Sequence, residues 1–470
     1  MEKVDLLIKN GTLVSAKGRT RADIAVQNEK IVGIFSTGQE IGAFRTIDAK
    51  GKYVLPGIWH THCHFREPGL TAKEDFESGT KCAAAGGITF VIDQTNNDPA
   101  PTTLETFLAK RELVEKKSYV DFGLYGGGLI PKEVSGMAEN GAIGIKVFNT
   151  RHVKEVYPYI STLAVTDHGL LHEIYEETAK TGLVCAVHHD DSEWTKRLVF
   201  RDYINKGRTD IHAYIESHER GYMYGHGMVM GLASSLYIAK ITGVRLYVLH
   251  LGVMPDEAYD LIRFAKSRDQ KVYAELEACS FLIPKEMATK IGPRCYSFAK
   301  SPGKAWESIH SGLADVVVLE HAPHTAEEIK LGWKDNFSAP LGVIGIQEFL
   351  PLMLNEVNKG FLTLEKLVAV SAETPARIFG IYPRKGTIQV GSDADFTLVD
   401  MEQEIVLSSE NSYSRSGWTA FDGVRVKGVP THTIVRGGIV YEDRQIKAHP
   451  GFGKFVPGCA ARKEPGRGCP

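Results

Sequence analysis

The sequence predicts a (β/α)₈ barrel of the TIM type, joined to a small β-sandwich built from both ends of the chain. Three observations predict it. Apolar, strand-like runs alternate with helical spacings from residue 55 to about 320, the order that parallel strands and crossover helices impose. Eight such runs occur, at 54–60, 88–93, 119–125, 142–148, 183–188, 244–250, 271–276 and 315–320. Five of them stop on side chains that bind metals: HTHCH at 60–64, GIKVF at 144–148, VHHDD at 187–191, YVLH at 247–250 and LEHAPH at 319–324. Side chains from different strands converge in this way at the C-terminal rim of a barrel.

Residues 1–54 read as short strands, VDLLIKNGTLVS and RADIAVQNEKIVGIF, with Asn10-Gly11 as a hairpin signal; they form the first part of the sandwich. The barrel takes 55–384. Thr71 and Glu74 have the spacing of a capping box for its first helix, which Gly86-Gly87 stops. Leu170, Leu171, Ile174, Tyr175 and Thr178 follow helical spacing up to Gly182, and residues 228–242 and 255–267 repeat the pattern. Beyond 345, IQEFLPLMLNEV and LTLEKLVAVSAETPARIFG read as helices. Within 385–445, KGTIQVGSDADFTLVD and TIVRGGIVYED return to short strands and complete the sandwich. Residues 446–470 are rich in Gly and Pro and basic, an extended tail that is either disordered or packed on a partner subunit. The cluster GLYGGGL at 123–129 does not fit a dinucleotide-binding GxGxxG and follows the third strand, so tight turns at the barrel rim are its expected use.

A chain of 470 residues, 43% of them hydrophobic, buries a large core, and a net charge of −2 gives no footprint for nucleic acid or an anionic membrane. No run reaches the ~18–20 apolar residues that span a bilayer. MEKVDLLIKNG lacks the apolar region of a signal peptide, and seven cysteines without a CxxC give no disulfide framework. A reducing cytoplasm is the expected location.

His62 and His64 are two apart on a strand, so both face one side and are placed to hold one metal. His188 and His250 each end an apolar run. One such histidine is commonly a satisfied core residue; four at the strand ends of one barrel point to a metal centre. Lys146, in AIGIKVF, sits where an ammonium is expensive to bury. It either snorkels or pairs with an acid, or desolvation frees its neutral amine to take up CO₂ as a carbamate that bridges two metals. With four histidines at hand, the carbamate is the favoured reading. Glu320 closes ADVVVLE, placed to ligate a metal and to carry a proton to a leaving nitrogen. Two divalent ions activate water and polarise a carbonyl, so the expected reaction is hydrolysis of an amide-type bond.

PGIWHTHCHFREPG, AAAGGIT, GIKVF, HAPHT, TPARIFG and KGTIQVGSDADF together resemble the cyclic-amidohydrolase branch of the amidohydrolase superfamily, from about residue 5 to 445. That branch holds dihydroorotases, allantoinases and dihydropyrimidinases (hydantoinases). The resemblance implies two divalent metal ions, Zn²⁺ in type, bridged by carboxylated Lys146 and held by His62, His64, His188, His250 and Glu320, the last also the catalytic acid. It further implies that Arg66, Asn96 and His324 bind a substrate carboxylate, as the matching positions do in dihydroorotases. Arg66 has a structural alternative in a salt bridge to Glu67 or Glu74, and Asn96 in a turn. The expected function is therefore a dihydroorotase- or allantoinase-like hydrolase opening a cyclic amide or ureide ring, in a homo-oligomer (dimer or tetramer). A hydantoinase or lactam/imide hydrolase with a more apolar substrate is the second reading, and a catalytically silent scaffold homologue the third.

Four positions depart from the family pattern. Glu320 stands where aspartate is usual, which moves the carboxylate by roughly 1.5 Å, one C–C bond. His60 replaces an acid two residues before the first ligand, Ala278-Cys279-Ser280 replaces a PH-type pair, and FAKSPGK at 298–304 is a shortened loop. The last two shape the pocket, so the substrate need not be one of the three familiar rings.

Overall fold

In the computed structural model, which describes residues 3–154, 162–340, 342–462 and 469, all eight runs are strands of one parallel sheet. They are Ile58–Cys63, Ile88–Asp93, Asp121–Gly127, Gly144–Asn149, Val184–His189, Arg245–Val248, Val272–Glu277 and Val316–Val318. The sheet comes round on itself where the His64 N–H donates to the carbonyl of His321 at 2.7 Å, beside a bridge between Cys63 and His321. Trp59, Phe90, Tyr125, Val184, Tyr247 and Val316 pack inside the barrel with Phe379, Ile381 and Val456. Arg245, first residue of the sixth strand, donates to the carbonyl of Ile378 at 2.8 Å, which places that plug at the N-terminal end. The polar strand ends therefore meet at the opposite rim.

The terminal segments share one mixed sheet of nine strands. Tyr53–Pro56 lies between Val4–Ser15 and Phe396–Val406 and so joins the two ends of the chain. Leu6, Ile8, Ile24 and Val26 from one end meet Phe396, Leu398 and Ile434 from the other in a common interior around Val54, which is why neither end alone carries a full core. The predicted first strand, 54–60, is thus two strands. The chain leaves the mixed sheet at Pro56 and enters the barrel at Ile58, and a Cβ on Gly57 between them would lie 2.2 Å from Thr89 Oγ1.

Other expectations are corrected locally. The first helix, Phe76–Ala85, is capped by Asp75 with Ser78, not by Thr71 with Glu74. Glu74 instead accepts from the Ser414 hydroxyl at 2.6 Å, a contact no local pattern announces. Gly123, Gly126 and Gly127 lie inside the third strand rather than in rim turns; a Cβ on Gly127 would sit 2.7 Å from Thr102 Cγ2, so close approach demands the glycine. The tail packs on its own chain: Val456 N–H donates to Phe122 O at 2.8 Å, and Val456 is fully buried. Cys459 and Cys469 form a disulfide, against the expectation of none, while Cys63, Cys82, Cys185, Cys279 and Cys295 are free and buried. Residues 463–468 and 470 of the tail lie outside the described residues.

Barrel and mixed sheet are locked by a buried ionic cluster. Lys385 Nζ lies 2.6 Å from carboxylates of both Asp121 and Asp395 and 3.1 Å from Asp393, and Arg436 reaches Asp121 at 2.8 Å. Among the described residues no helix is long and apolar enough to cross a membrane.

Candidate active site

His62 ends its strand facing inward, and His64 follows just past the strand's last residue. Lys146 lies mid-strand, His188 near the end of the fifth strand, His250 two residues beyond the sixth, and Glu320 two beyond the eighth. All six line one cavity of about 80 Å³, together with Arg66 and Asn96. The ring centroids of His62 and His250 are 4.9 Å apart, those of His188 and His250 4.3 Å, and those of His62 and His64 5.2 Å. Ligand atoms of His62, His64 and Glu320 fall within 4.8 Å of one another, as do those of His62, His250 and Glu277.

Burial sets the protonation of this set. It pushes His62 down to about 3 and His64 to about 4, and lowers His188 well below the usual range, so these imidazoles are neutral and their lone pairs free to ligate. Burial likewise brings Lys146 down to about 7, against the pull of Glu275 and Glu320. The Lys146 Nζ is fully buried with no hydrogen-bond partner, 4.4 Å above the Phe148 ring. Such an amine is costly to leave as it stands. For Glu320, burial acts upward, yet His62, His64 and His250 hold its carboxyl well below the usual range. Neutral imidazoles, a naked amine and an ionised carboxylate fit a pair of divalent cations.

The strand before Glu320 stops at Val318, so the longer glutamate reaches in from outside the sheet; its Oε1 comes to 3.2 Å from His64 Nε2 and 3.7 Å from His62 Nε2. His60 does not turn toward these ligands. It donates to the carbonyl of Leu319 at 2.7 Å and ties the first strand to the last.

Two glutamates that the sequence reading passed over support the histidines from the seventh strand. Glu275 accepts from His62 Nδ1 at 2.7 Å and also from the hydroxyls of Thr61 and Tyr247. Glu277 Oε1 lies 2.7 Å from His250 Nδ1. Their signal was present in VYAELE, where two acids alternate at the end of an apolar run and so share one face. Lys300, from the shortened loop, was also missed. Its ammonium donates to the carbonyls of Tyr224 at 2.8 Å and Val253 at 3.3 Å, pinning Tyr224, a wall of the cavity, to the turn after His250.

The three expected substrate anchors separate. Arg66 lines the cavity, 2% exposed, with its Nε donating to Pro323 O at 3.1 Å. Glu67 turns to Lys117 and Glu74 to Ser414. Asn96 also lines the cavity, with its Oδ1 accepting from His64 Nδ1 at 2.6 Å, which aims Nε2 of that ring inward. His324 does not line the cavity; it stands behind Arg66, Nε2 3.3 Å from the guanidinium. Phe148, Val153, Met223 and Met228 provide the apolar wall.

The amidohydrolase family profile matches residues 53–440. An L-hydantoinase of Paenarthrobacter aurescens is 37% identical over 464 residues, covering 96% of this chain and 98% of that protein. A dihydroorotase of Methanosarcina acetivorans is 31% identical over 477 residues, covering 98% and 97%. The solved structure of an L-hydantoinase (dihydropyrimidinase) from Arthrobacter aurescens superposes with a TM-score of 0.88 at 35% identity, over 97% of this chain and 100% of that one.

Proposed function

We propose, from the premise that this chain belongs to the amidohydrolase family and is a metal-dependent hydrolase of cyclic amides, that its substrate is a small ring bearing a carboxylate or ureido group. The observation that carries this reading is Arg66, a guanidinium buried in the wall of the cavity that the four histidines share. A planar two-pronged donor in a dry pocket recognises a carboxylate or a ureide oxygen.

His62, His64, Lys146, His188, His250 and Glu320 are the residues that would hold two divalent ions, zinc being the metal that this nitrogen-rich set suits. For Lys146 to contribute, its neutral Nζ bonds to the carbon of CO₂ and releases a proton, giving a carbamate with oxygen donors. When bound, two such ions supply Lewis-acid activation of water and of the scissile carbonyl. Glu320, ionised and with Oε1 3.2 Å from His64 Nε2, accepts the proton of the attacking water and delivers it to the ring nitrogen as the C–N bond breaks. Arg66 holds the substrate's anionic end, and Asn96 keeps His64 in register.

Tyr237, Ile241 and Phe264, exposed on neighbouring helices, support a homo-oligomer, and the five free thiols support a reducing cytoplasm, with Cys459–Cys469 the exception. The apolar wall favours one further reading, a hydantoinase-type enzyme acting on rings without an anionic group. A hydrolysis screen over dihydroorotate, allantoin, hydantoins, dihydrouracil, lactams and imides, with metal analysis, separates the two. Turnover confined to uncharged rings, unchanged in Arg66→Ala, would establish the second.

A further inference from the structure

Arg66 is held by a chain of side chains that lies wholly behind the cavity. His324, 1% exposed, places Nε2 3.3 Å from an Arg66 Nη and Nδ1 3.6 Å from Glu328 Oε2. Lys73 Nζ lies 2.7 Å from the other oxygen of Glu328 and 3.4 Å from His324 Nδ1. A neutral imidazole has one lone pair and one N–H, and both Arg66 and Lys73 are donors only, so it cannot accept from both. If Nδ1 accepted from Lys73, the Nε2–H would face the Arg66 N–H and the Nδ1 lone pair would face a carboxylate oxygen. With the proton on Nδ1, Nε2 accepts from Arg66, the Nδ1–H faces the Glu328 carboxylate, whose Oε2 is 3.6 Å away, and the lysine, 2.7 Å from Glu328 Oε1, directs its protons there.

Glu328 is itself fixed, because it is the N3 partner in the capping box of Ala326–Gly332 and accepts from the Thr325 N–H at 3.0 Å. The loop is closed from above by Trp418, whose Nε1–H donates to His324 O at 2.8 Å. Arg66 has a reason to need such support. Its backbone lies in the left-handed region (φ 61°), which is strained for a side-chain-bearing residue, and a long side chain leaving it has many rotamers.

We propose that His324, Glu328 and Lys73 form a positioning relay that fixes the guanidinium of Arg66 for the substrate's anionic group, and that His324 does not touch substrate. The inference rests on Arg66 being the anchor, but its first test does not. In ¹⁵N-histidine-labelled protein, the signal lost in His324→Asn is expected to be that of the Nδ1–H tautomer; an Nε2–H tautomer overturns the relay whatever the substrate is. The second test compares two rings of one size, with and without a carboxylate. Glu328→Gln and Lys73→Met are expected to raise KM for the carboxylated ring about tenfold with kcat within about twofold, and Lys73→Arg to restore most of it. Equal KM changes for both rings, or none, in folded variants with unchanged melting points would show a purely structural role. A wild-type enzyme that turns over only uncharged rings, with the Nδ1–H tautomer present, removes the anchor reading and leaves the relay geometry standing.

Discussion

Glu277 Oε1 lies 2.7 Å from Nδ1 of His250, and the histidine holds that position with its backbone in the left-handed region at φ 66°. A non-glycine residue just past a barrel strand adopts this conformation at a cost of about 1–3 kcal/mol. The carboxylate's charge beside Nδ1 favours the ring in a place where its centroid is 4.9 Å from that of His62 and 4.3 Å from that of His188, and it makes the ring more basic. Burial acts downward on His250, yet Glu277 beside it raises its pKa above the ordinary value. Glu277→Gln keeps the shape and removes the charge, so metal affinity is expected to fall about 10–100-fold. Competition with a chelator measures it; an unchanged affinity would mean that Glu277 only fills space.

Lys146 carries the next prediction. Purified protein is expected to hold about two transition-metal ions per chain. If Lys146 carries the proposed bridging carbamate, Lys146→Ala should lose both metal and turnover, with partial recovery on adding acetate or propionate, which bring the missing carboxylate oxygens. Retained activity in the alanine variant without any added acid rules out the carbamate.

Glu320 separates ligation from proton transfer. Glu320→Gln retains a carbonyl oxygen near His64 but cannot take a proton, so turnover should drop at least about 100-fold while metal content stays near that of the parent. Glu320→Asp draws the carboxylate back by about 1.5 Å and should cost a similar factor, because roughly 1 Å of misplacement is felt about 100-fold. Metal analysis beside single-substrate kinetics decides both, and wild-type turnover in Glu320→Gln places the proton shuttle elsewhere.

Legibility followed the range of the interactions. Strand periodicity is local, so all eight barrel strands and the candidate metal ligands His62, His64, Lys146, His188 and His250 could be read from the chain, and the structure gathers these five side chains around one cavity. Features set by distant partners were not readable. For Asn96, nothing in QTNNDP shows that His64 Nδ1 is 2.6 Å away. Glu74 looked like a cap because Ser414 lies far along the chain. The tail looked extended because Phe452, Phe455 and Val456 are spaced by Gly, Pro and Lys with no regular period, until the barrel base is built around Val456. Glu275 and Glu277 are a different case: their alternation at the end of VYAELE is local and visible in the chain.

The ionic cluster under the barrel yields a prediction about stability. Asp121, Asp393 and Asp395 bring ligand atoms within 4.8 Å of one another, and Lys385 Nζ lies within 3.1 Å of all three. Lys385 and Asp121 are fully buried, and the cluster ties strand three of the barrel to the start of Phe396–Val406. Lys385→Met keeps the volume but leaves carboxylates buried without their counter-charge, a change that costs about 3–5 kcal/mol. Denaturant unfolding should show that loss while the metal content of the folded protein is kept. Asp393 also gives an acid limit, whereas burial raises Asp395 beside it. Burial acts upward on Asp393, but Lys385 and Arg384 hold its carboxyl down to about 2, from an ordinary 3.8. A depressed carboxyl stabilises fully above its unfolded value, so this contribution is complete above about pH 4 and is lost as pH falls toward 2. In Lys385→Met the carboxyl rises, and the onset of acid unfolding should move to higher pH. An onset unchanged from the parent would mean that the lysine contributes no charge to the cluster.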